Sequence, residues 1–410
     1  MKDIEKKFKG DQRFKAYVKL ILENPDTTEY NLPIVFSCEG LDVDRLELAI
    51  NKIVQRHANL RSSFVIENDI LFQIVHKYTP ITITRLRESF CSNFAIPFDL
   101  SKGPSFRISV FENTVYADFS HFFVDGVSLG IFFHELNEFY KGNEIKSKGE
   151  DVENLIVSDE VYKINGEFYK QFFPKNLKKT FLKYDFNDKS IPEFGPCVTE
   201  YRYIDSDFMK KIKETSRLAC VTPFNFTTAA FHILISMITK DSTVYSNTNV
   251  CSRNSKNFRA IGLFTTAVYL RYTINPEKTV REFLAEIFLY HKEVLKHQNV
   301  NMRKLITELG IDYKEVSEFS FLYQNEMISN IKLDDKVCKI TPISYTDSQK
   351  NIFLSFFARK DTSAIQLCYR TDCYKKETIL RFIDDYIKVL KIMINNPDIL
   401  ISDIFKLMNY

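Results

Sequence analysis

Between Phe106 and Tyr140 the apolar period of the chain changes once, from two residues to about 3.6, across a single short turn. Phe106 to Phe111 and Val115 to Ser120 read as the strands of a β-hairpin joined through Glu112-Asn113-Thr114. In the second strand Val115, Ala117 and Phe119 alternate with Tyr116, Asp118 and Ser120, so the face that carries Ser120 is the more polar one. Past Asp125-Gly126 the apolar residues Leu129, Phe132, Phe133, Leu136, Phe139 and Tyr140 fall in one helical stripe, and Gly142 supplies a C-terminal stop. A hairpin that runs directly into an amphipathic helix buries both apolar faces by laying the helix against the sheet.

The rest of the chain repeats this style. A helix follows the N-cap candidate Asp42, with Leu46, Ala49, Ile50, Ile53 and Val54 on one face, and ends near Arg56-His57. A short strand, Ile34 to Cys38, precedes it. In the second half helices are expected from Pro223 to about Thr239, from Thr279 to His297, and along Ile379, Phe382, Ile383, Tyr386, Ile387 and Leu390. Strands are expected at Val244 to Asn247, Ala267 to Thr273, Phe319 to Tyr323, Ile352 to Phe357 and Ala364 to Tyr369. The fold class is therefore α+β, with largely antiparallel strands. Lys141 to Glu153 is nearly all polar, and Lys175 to Pro196 is rich in Lys, Asn, Asp and Pro, which puts the inter-lobe boundary between about 150 and 200. The expected lobes are residues 1–175 and 176–410.

Composition narrows the function. A chain of 410 residues exceeds what one core organises. Basic and acidic residues nearly balance, 56 against 53, which argues against a nucleic-acid partner. The local cluster Lys175, Lys178, Lys179 and Lys183 reads as solvated surface, with a docking site for an acidic partner as the alternative. The N-terminal residues carry no apolar signal segment, and no apolar run is long enough to span a bilayer. The eight cysteines (Cys38, Cys91, Cys197, Cys220, Cys251, Cys338, Cys368 and Cys373) are scattered without a Cys-x-x-Cys pair, so they read as reduced, mostly buried thiols of a cytoplasmic protein, and no metal site is expected.

The turn Ser120-His121-Phe122-Phe123-Val124-Asp125-Gly126 is the place for chemistry. Strand-to-helix turns lift side chains to a sheet edge, where a reactant reaches them. A neutral His there accepts a proton from an attacking amine or alcohol, since its ordinary pKa is about 6.5. Asp125 locks the turn, and Gly126 admits a close backbone approach or an unusual φ. On spacing alone the same pattern suits a structural histidine. His232, His291 and His297 sit in helices with no acidic or nucleophilic partner in sequence, His134 reads as a surface or packing residue on a helix flank, His57 reads as structural, and Cys251 is not read as a nucleophile.

A wider set of segments resembles the condensation domains of nonribosomal peptide synthetases, members of the chloramphenicol-acetyltransferase-like acyltransferases. Ile96 to Arg107, the strand, His121 to Gly126 and the helix beyond resemble the family's core. Tyr30-Asn31-Leu32-Pro33 and Arg56-His57-Ala58-Asn59-Leu60-Arg61-Ser62-Ser63-Phe64 are similar to earlier motifs. Thr222-Pro223, Arg253, Gly262-Leu263-Phe264, Leu270-Arg271, Phe319 to Asn325, Asn351 to Tyr369 and Asn396-Pro397 are similar to later ones, so the likeness spans nearly the whole chain. There are departures. The first of the family's two adjacent histidines is Ser120 here. Thr266, Ala267 and Tyr269 stand where Asn-Thr and a Pro are usual, and the first motif near Gln12-Arg13 is degraded.

The resemblance implies two acetyltransferase-like lobes in a V shape with a tunnel between them, and carrier proteins that send 4′-phosphopantetheine thioesters inward. It implies that His121 is catalytic, that Ser120 and Gly126 support it, and that Asp125 is structural through a pair with an arginine, for which Arg271 is the expected partner. The implied reaction is amide-bond formation between an acyl thioester and an amine, with acyl or peptidyl carrier protein domains as partners of a monomer. One alternative is an ester-forming acyltransferase with an alcohol acceptor and a coenzyme A donor. The other is an inactive module that docks carriers or recruits a tailoring enzyme, a reading that Ser120 sustains.

Overall fold

The computed structural model describes residues 3–90, 94–147, 149, 152–186, 192, 194–255, 257–325, 331–341, 343, 347–358 and 363–409. Cys91 lies outside them, as do parts of the polar stretches around 148–151 and 187–193. The chain forms two compact units. The first comprises the described residues of Met1–Tyr162, Cys251–Thr265 and Met327–Thr346, and the second those of Lys163–Val250, Thr266–Glu326 and Asp347–Tyr410. A single cut between 175 and 176 therefore does not describe them, because two later segments return to the first unit.

In chain order the first unit begins with β1 (Ile4–Lys9), α1 (Lys15–Glu23), β2 (Asn31–Ser37), α2 (Val43–Arg56), β3 (Ser62–Glu67), β4 (Ile70–His76) and β5 (Thr84–Arg85). The hairpin β6 (Phe106–Phe111) and β7 (Thr114–Ser120) follows, then α3 (Gly126–Tyr140). Asp42 caps α2 by accepting from the Arg45 N–H at 3.0 Å, and the apolar faces of α2 and α3 pack with β6 and β7 in one core. That core includes Leu46, Ile50, Ile53, Phe106, Val115, Ala117, Phe119, Phe132 and Leu136, the residues that the two periods select. The polar face of β7 is not exposed: Tyr116, Asp118 and Ser120 are buried, because the Phe90 and Phe94 rings cover Tyr116 while Asn31 and Arg107 bond Asp118. A three-stranded sheet has the order β1-β4-β3, and the turn Asn68-Asp69 joins β3 to β4, both residues in the left-handed region that Asn and Asp tolerate.

Helix α4 (Asp159–Lys170) leads into the second unit: β8 (Gly195–Ile204), α5 (Ser206–Leu218), α6 (Pro223–Thr239), β9 (Thr243–Cys251), β10 (Thr265–Thr273), α7 (Val280–Lys296), α8 (Met302–Glu308) and β11 (Phe319–Asn325). The chain then returns to the first unit as the hairpin β12 (Lys332–Leu333) and β13 (Lys336–Val337) and the strand β14 (Lys339–Thr341), which pairs antiparallel with β2. It ends in the second unit with β15 (Asp347–Ser348), β16 (Ile352–Ala358), β17 (Ser363–Arg370), α9 (Lys376–Asn395) and α10 (Ile401–Leu407).

The first unit's larger sheet has the order β14-β2-β7-β6-β5, and the second unit's sheet β10-β9-β11-β16-β17-β8-β15. The latter is mixed, since β11 runs parallel to both β16 and β9. Helix α6 is buried on almost every side, which fits its near-continuous apolar sequence. Capping boxes at Thr222–Asn225 and Thr279–Glu282 start α6 and α7.

Candidate active site

The end of β7 is held on both sides before the turn begins. The Ser120 N–H donates to the Ser105 carbonyl and the His121 N–H to the Tyr30 carbonyl, each at 2.8 Å. The two phenylalanines then anchor the turn. Phe123 stacks on Phe64 with centroids 4.7 Å apart, and Phe122 packs against Tyr30, Phe14 and Phe64 in an apolar cluster with Val18, Leu71 and Leu100. Phe122 to Asp125 are buried, while His121 is only half-buried.

The geometry decides which nitrogen of His121 carries the proton. Nδ1 lies 2.8 Å from the Val124 carbonyl oxygen. A carbonyl only accepts, so Nδ1–H donates, and in the neutral ring Nε2 keeps its lone pair. His121 is therefore oriented by the backbone of its own turn. That backbone is pinned from below: the Asn59 side-chain N–H donates to the Phe123 carbonyl at 2.8 Å, and Asn59 Oδ1 accepts from Gln73 on β4 at 2.7 Å. Both amides are buried. In sequence Asn59 is one residue of a motif with no evident role and Gln73 carries no signal of its own, although the Asn68-Asp69 turn marks the hairpin that carries Gln73.

Asp125 does other work. It is wholly buried at the N-cap of α3, where Oδ1 accepts from the Ser128 N–H and hydroxyl, each at 2.8 Å. Oδ1 also accepts from Arg253 Nη2 at 2.8 Å, and Oδ2 from the Phe264 N–H at 3.0 Å. The arginine that pairs with Asp125 is thus Arg253, not Arg271. Arg253 follows β9 directly and lies in the 251–265 segment that packs on the start of α3, where it also donates to the Asn257 and Ala260 carbonyls and to Ser128, with its guanidinium 4.3 Å from the Phe264 ring centroid. Arg271 is a residue of β10 in the other unit. Its backbone N–H donates to the Tyr290 hydroxyl, and its Nε has no hydrogen-bond partner among the described residues. With both Asp125 oxygens so engaged and His121 bonded to Val124, the turn is not a triad.

Ser120 is buried beside the histidine, and Gly126 is simply the first residue of α3 with helical backbone, so no left-handed φ accounts for it. A cavity of about 40 Å³, lined among others by Arg13, Asn59, Gln73, Phe122, Gly262 and Phe264, opens beside the turn. It has room for water.

The remaining candidates resolve as packing groups. His57 and Arg56 bond Glu135 of α3 at 2.8 and 3.1 Å. Burial opposes ionisation of Glu135, but these two partners outweigh it and hold its carboxyl below the usual value. His134 is exposed. His232 and His291 are buried in the second unit and pushed down to about 3 by desolvation, and His297 stacks on Phe168. Desolvation raises the Cys251 thiol, which removes the thiolate a nucleophile needs. Lys178 and Lys179 of the basic cluster are paired with Asp241 and Glu318. Among the described residues no His, Cys, Asp and Glu cluster is placed to hold a metal ion, and no single helix is long and apolar enough to cross a membrane.

Comparison with known proteins adds a consistent set of likenesses. The family model described as "Condensation domain" matches residues 19–409. Surfactin synthase subunit 2 of Bacillus subtilis (strain 168) is 25% identical over 397 residues, covering 92% of this chain and 11% of that protein. Gramicidin S synthase 2 of Brevibacillus brevis is 25% identical over 400 residues, covering 92% of this chain and 9% of the relative. The chain thus spans about a tenth of the length of these curated relatives. Among solved structures, the condensation domain from Monacolin K polyketide synthase MokA superposes with a TM-score of 0.81 at 17% identity, covering 97% of this chain and all of that one. The X-domain from teicoplanin biosynthesis gives 0.80 at 17% identity, with 96% of each chain covered. At such identities the structural likenesses speak to fold alone.

Proposed function

We propose that this chain, which belongs to the condensation-domain family, is an acyltransferase that joins an acyl thioester to an amine as an amide. The observation that carries the reading is the state of His121: Nδ1–H is bonded to the Val124 carbonyl, and Nε2 is left with a lone pair on a half-buried ring at the edge of a sheet. The amine nitrogen attacks the thioester carbon, and the carbonyl π electrons move to oxygen. As the tetrahedral intermediate collapses, the C–S bond breaks and a thiolate leaves. His121 Nε2 accepts the ammonium proton and passes it to that thiolate, so that an amide and a free thiol result. Much of the acceleration comes from holding two tethered reactants together.

Both substrates are taken to ride on 4′-phosphopantetheine arms of carrier protein domains, which are substrates here and not resident cofactors. The chain acts as a monomer in the cytoplasm. A solved chain of the same fold is named as a four-domain nonribosomal peptide synthetase, which supports the amide product over an ester. Gly126 and Ser120 support the turn. A second reading, a non-catalytic docking module, is favoured by Ser120 in place of the family's first histidine, and a solved complex of a similar X-domain with OxyB gives it a precedent of fold.

Mass spectrometry of the carrier-bound product tests the reading. An acyl-carrier thioester and an aminoacyl carrier should yield amide on the acceptor carrier, and His121→Ala should cut turnover about a hundredfold or more. Ester formed from a free alcohol and a coenzyme A thioester would move the chain to the ester-forming branch. Carrier binding without transfer, indifferent to His121→Ala, would leave the docking module.

A further inference from the structure

The return segment that adds β14 to the first unit brings two distant cysteines face to face. The β14–β2 ladder pairs Lys339 with Ser37, Ile340 with Phe36 and Thr341 with Val35. One step further along the same antiparallel register, Cys338 stands opposite Cys38. The Cys38 N–H donates away from β14, to the Asn113 carbonyl at 3.0 Å, and the Cys338 N–H donates to the Ile331 carbonyl at 2.8 Å. Neither bonds the other's backbone, so the two occupy a non-hydrogen-bonded position, where facing Cα atoms are about 4.5 Å apart and side chains come closest. That separation lies inside the range that a disulfide spans. Both side chains are buried in the same apolar cluster, close enough that the Cys38 thiol adds to burial in raising the Cys338 thiol.

We propose that Cys38 and Cys338 are a redox modification site, which closes to an intrachain disulfide at the expense of a small-molecule disulfide. A thiolate of one cysteine attacks the S–S bond of the oxidant and releases one thiol. The second cysteine then attacks the protein sulfur of that mixed disulfide and releases the other. Two electrons and two protons pass from the cysteine pair to the oxidant, and the new bond ties residue 338 to residue 38.

Access is set by the fold. Both thiols are free and buried, and desolvation raises the Cys338 thiol far above its ordinary value, so the closed sheet gives little Cys338 thiolate. β14, however, is a short strand at the sheet edge, paired on one side only with β2. Lifting it exposes both sulfurs while β2, β7 and β6 stay paired. Oxidation then clasps the return segment onto β2. This holds whatever reaction the His121 turn performs.

The full chain, incubated with oxidised glutathione, alkylated and mapped as peptides without reduction, tests the inference. The expected result is a peptide that joins Cys38 to Cys338 in most of the chain and is released by dithiothreitol. Cys38→Ser and Cys338→Ser should each lose that link and leave the other cysteine open to alkylation. Recovery of both cysteines in alkylated form after prolonged oxidation would overturn it. So would a bond from either one to a different cysteine, or a glutathione adduct that never resolves. The mapping is made on the unaltered chain, so it stands even where a serine variant folds poorly.

Discussion

At the scale of single residues the site separates two tasks that its short motif merges. His121 faces outward with its proton fixed on Nδ1, while Asp125 faces inward and holds Arg253, Ser128 and the Phe264 backbone. Their substitutions should therefore differ in kind. Asp125→Ala removes an N-cap and leaves Arg253 buried without its carboxylate, a change that costs about 3–5 kcal/mol when a buried pair is broken. It should lower the melting temperature and folded yield together with any activity. His121→Ala removes a half-exposed ring with one backbone hydrogen bond and should leave the melting temperature nearly unchanged. Calorimetry on the two variants distinguishes them, and an Asp125→Ala protein that melts like the parent would mean that the Arg253 pair is not what holds the turn.

At the scale of elements, the segment 251–265 behaves as a strap on the start of α3, to which the Gly262 N–H donates at the Ser128 hydroxyl, 2.9 Å away. A Cβ built at Gly262 would sit 2.9 Å from the Phe264 ring and 3.4 Å from the Asn59 amide. That ring lies against the Arg253 guanidinium. Gly262→Ala should therefore push the ring off its seat and cost roughly 1–3 kcal/mol, the usual size of overpacking. In a Phe264→Leu background the cost should be smaller, since the clashing ring is gone. Urea unfolding of the two singles and the double reads the coupling, and strictly additive losses would count against the contact. None of this is visible in sequence, where Arg253 and Gly262 stand only as motif residues, because pairing Asp125 with Arg253 requires knowing that the chain returns to the first unit after β9. Elements with one clean period were legible: α2, α3, α6, α7 and α9, and the β6–β7 hairpin, fall where their apolar residues put them. Helix α4 and strand β8 were lost in what reads as a polar boundary. The buried face of α4 sets Asn165 between Tyr162 and Tyr169, and β8 carries Glu200 and Arg202 within its run, so polar residues interrupt both patterns. β14 is too short for any period, yet it sets the sheet edge and the Cys38–Cys338 pair.

At the scale of the whole molecule the two units differ in what their interiors contain, and this sets how the chain responds to acid. The second unit buries two neutral histidines among polar partners. His291 Nδ1 accepts from the Asn225 side-chain amide at 2.8 Å, while its Nε2 lies 2.7 Å from the Tyr272 hydroxyl. His232 donates from Nδ1 to the Thr228 carbonyl and meets the Ser246 hydroxyl through Nε2, each at 2.7 Å, with Tyr272 packed against its ring. A proton added to His291 Nδ1 would point at an amide N–H, a donor against a donor, and no carboxylate is bonded to either ring among the described residues. Desolvation thus holds both at about 3, well below the ordinary 6.5. With the folded value depressed, the unfolded chain binds protons that the folded chain refuses once the pH drops below about 6.5. Stability is then lost with falling pH from there down to about 3, at about 1.4 kcal/mol per unit for each histidine. Glu135 in the first unit adds to the same trend at lower pH, since its depressed carboxyl stabilises the fold above the ordinary carboxylate value and ceases to do so as the pH falls through its own. His291→Gln keeps hydrogen-bonding groups towards Asn225 and Tyr272 but cannot titrate. Urea unfolding at pH 7 and pH 5 should show the parent losing on the order of 2 kcal/mol more than this variant over that interval. Equal losses in the two proteins would mean that His291 takes its proton in the folded chain, and that the buried network of α6, α7 and β10 tolerates the charge.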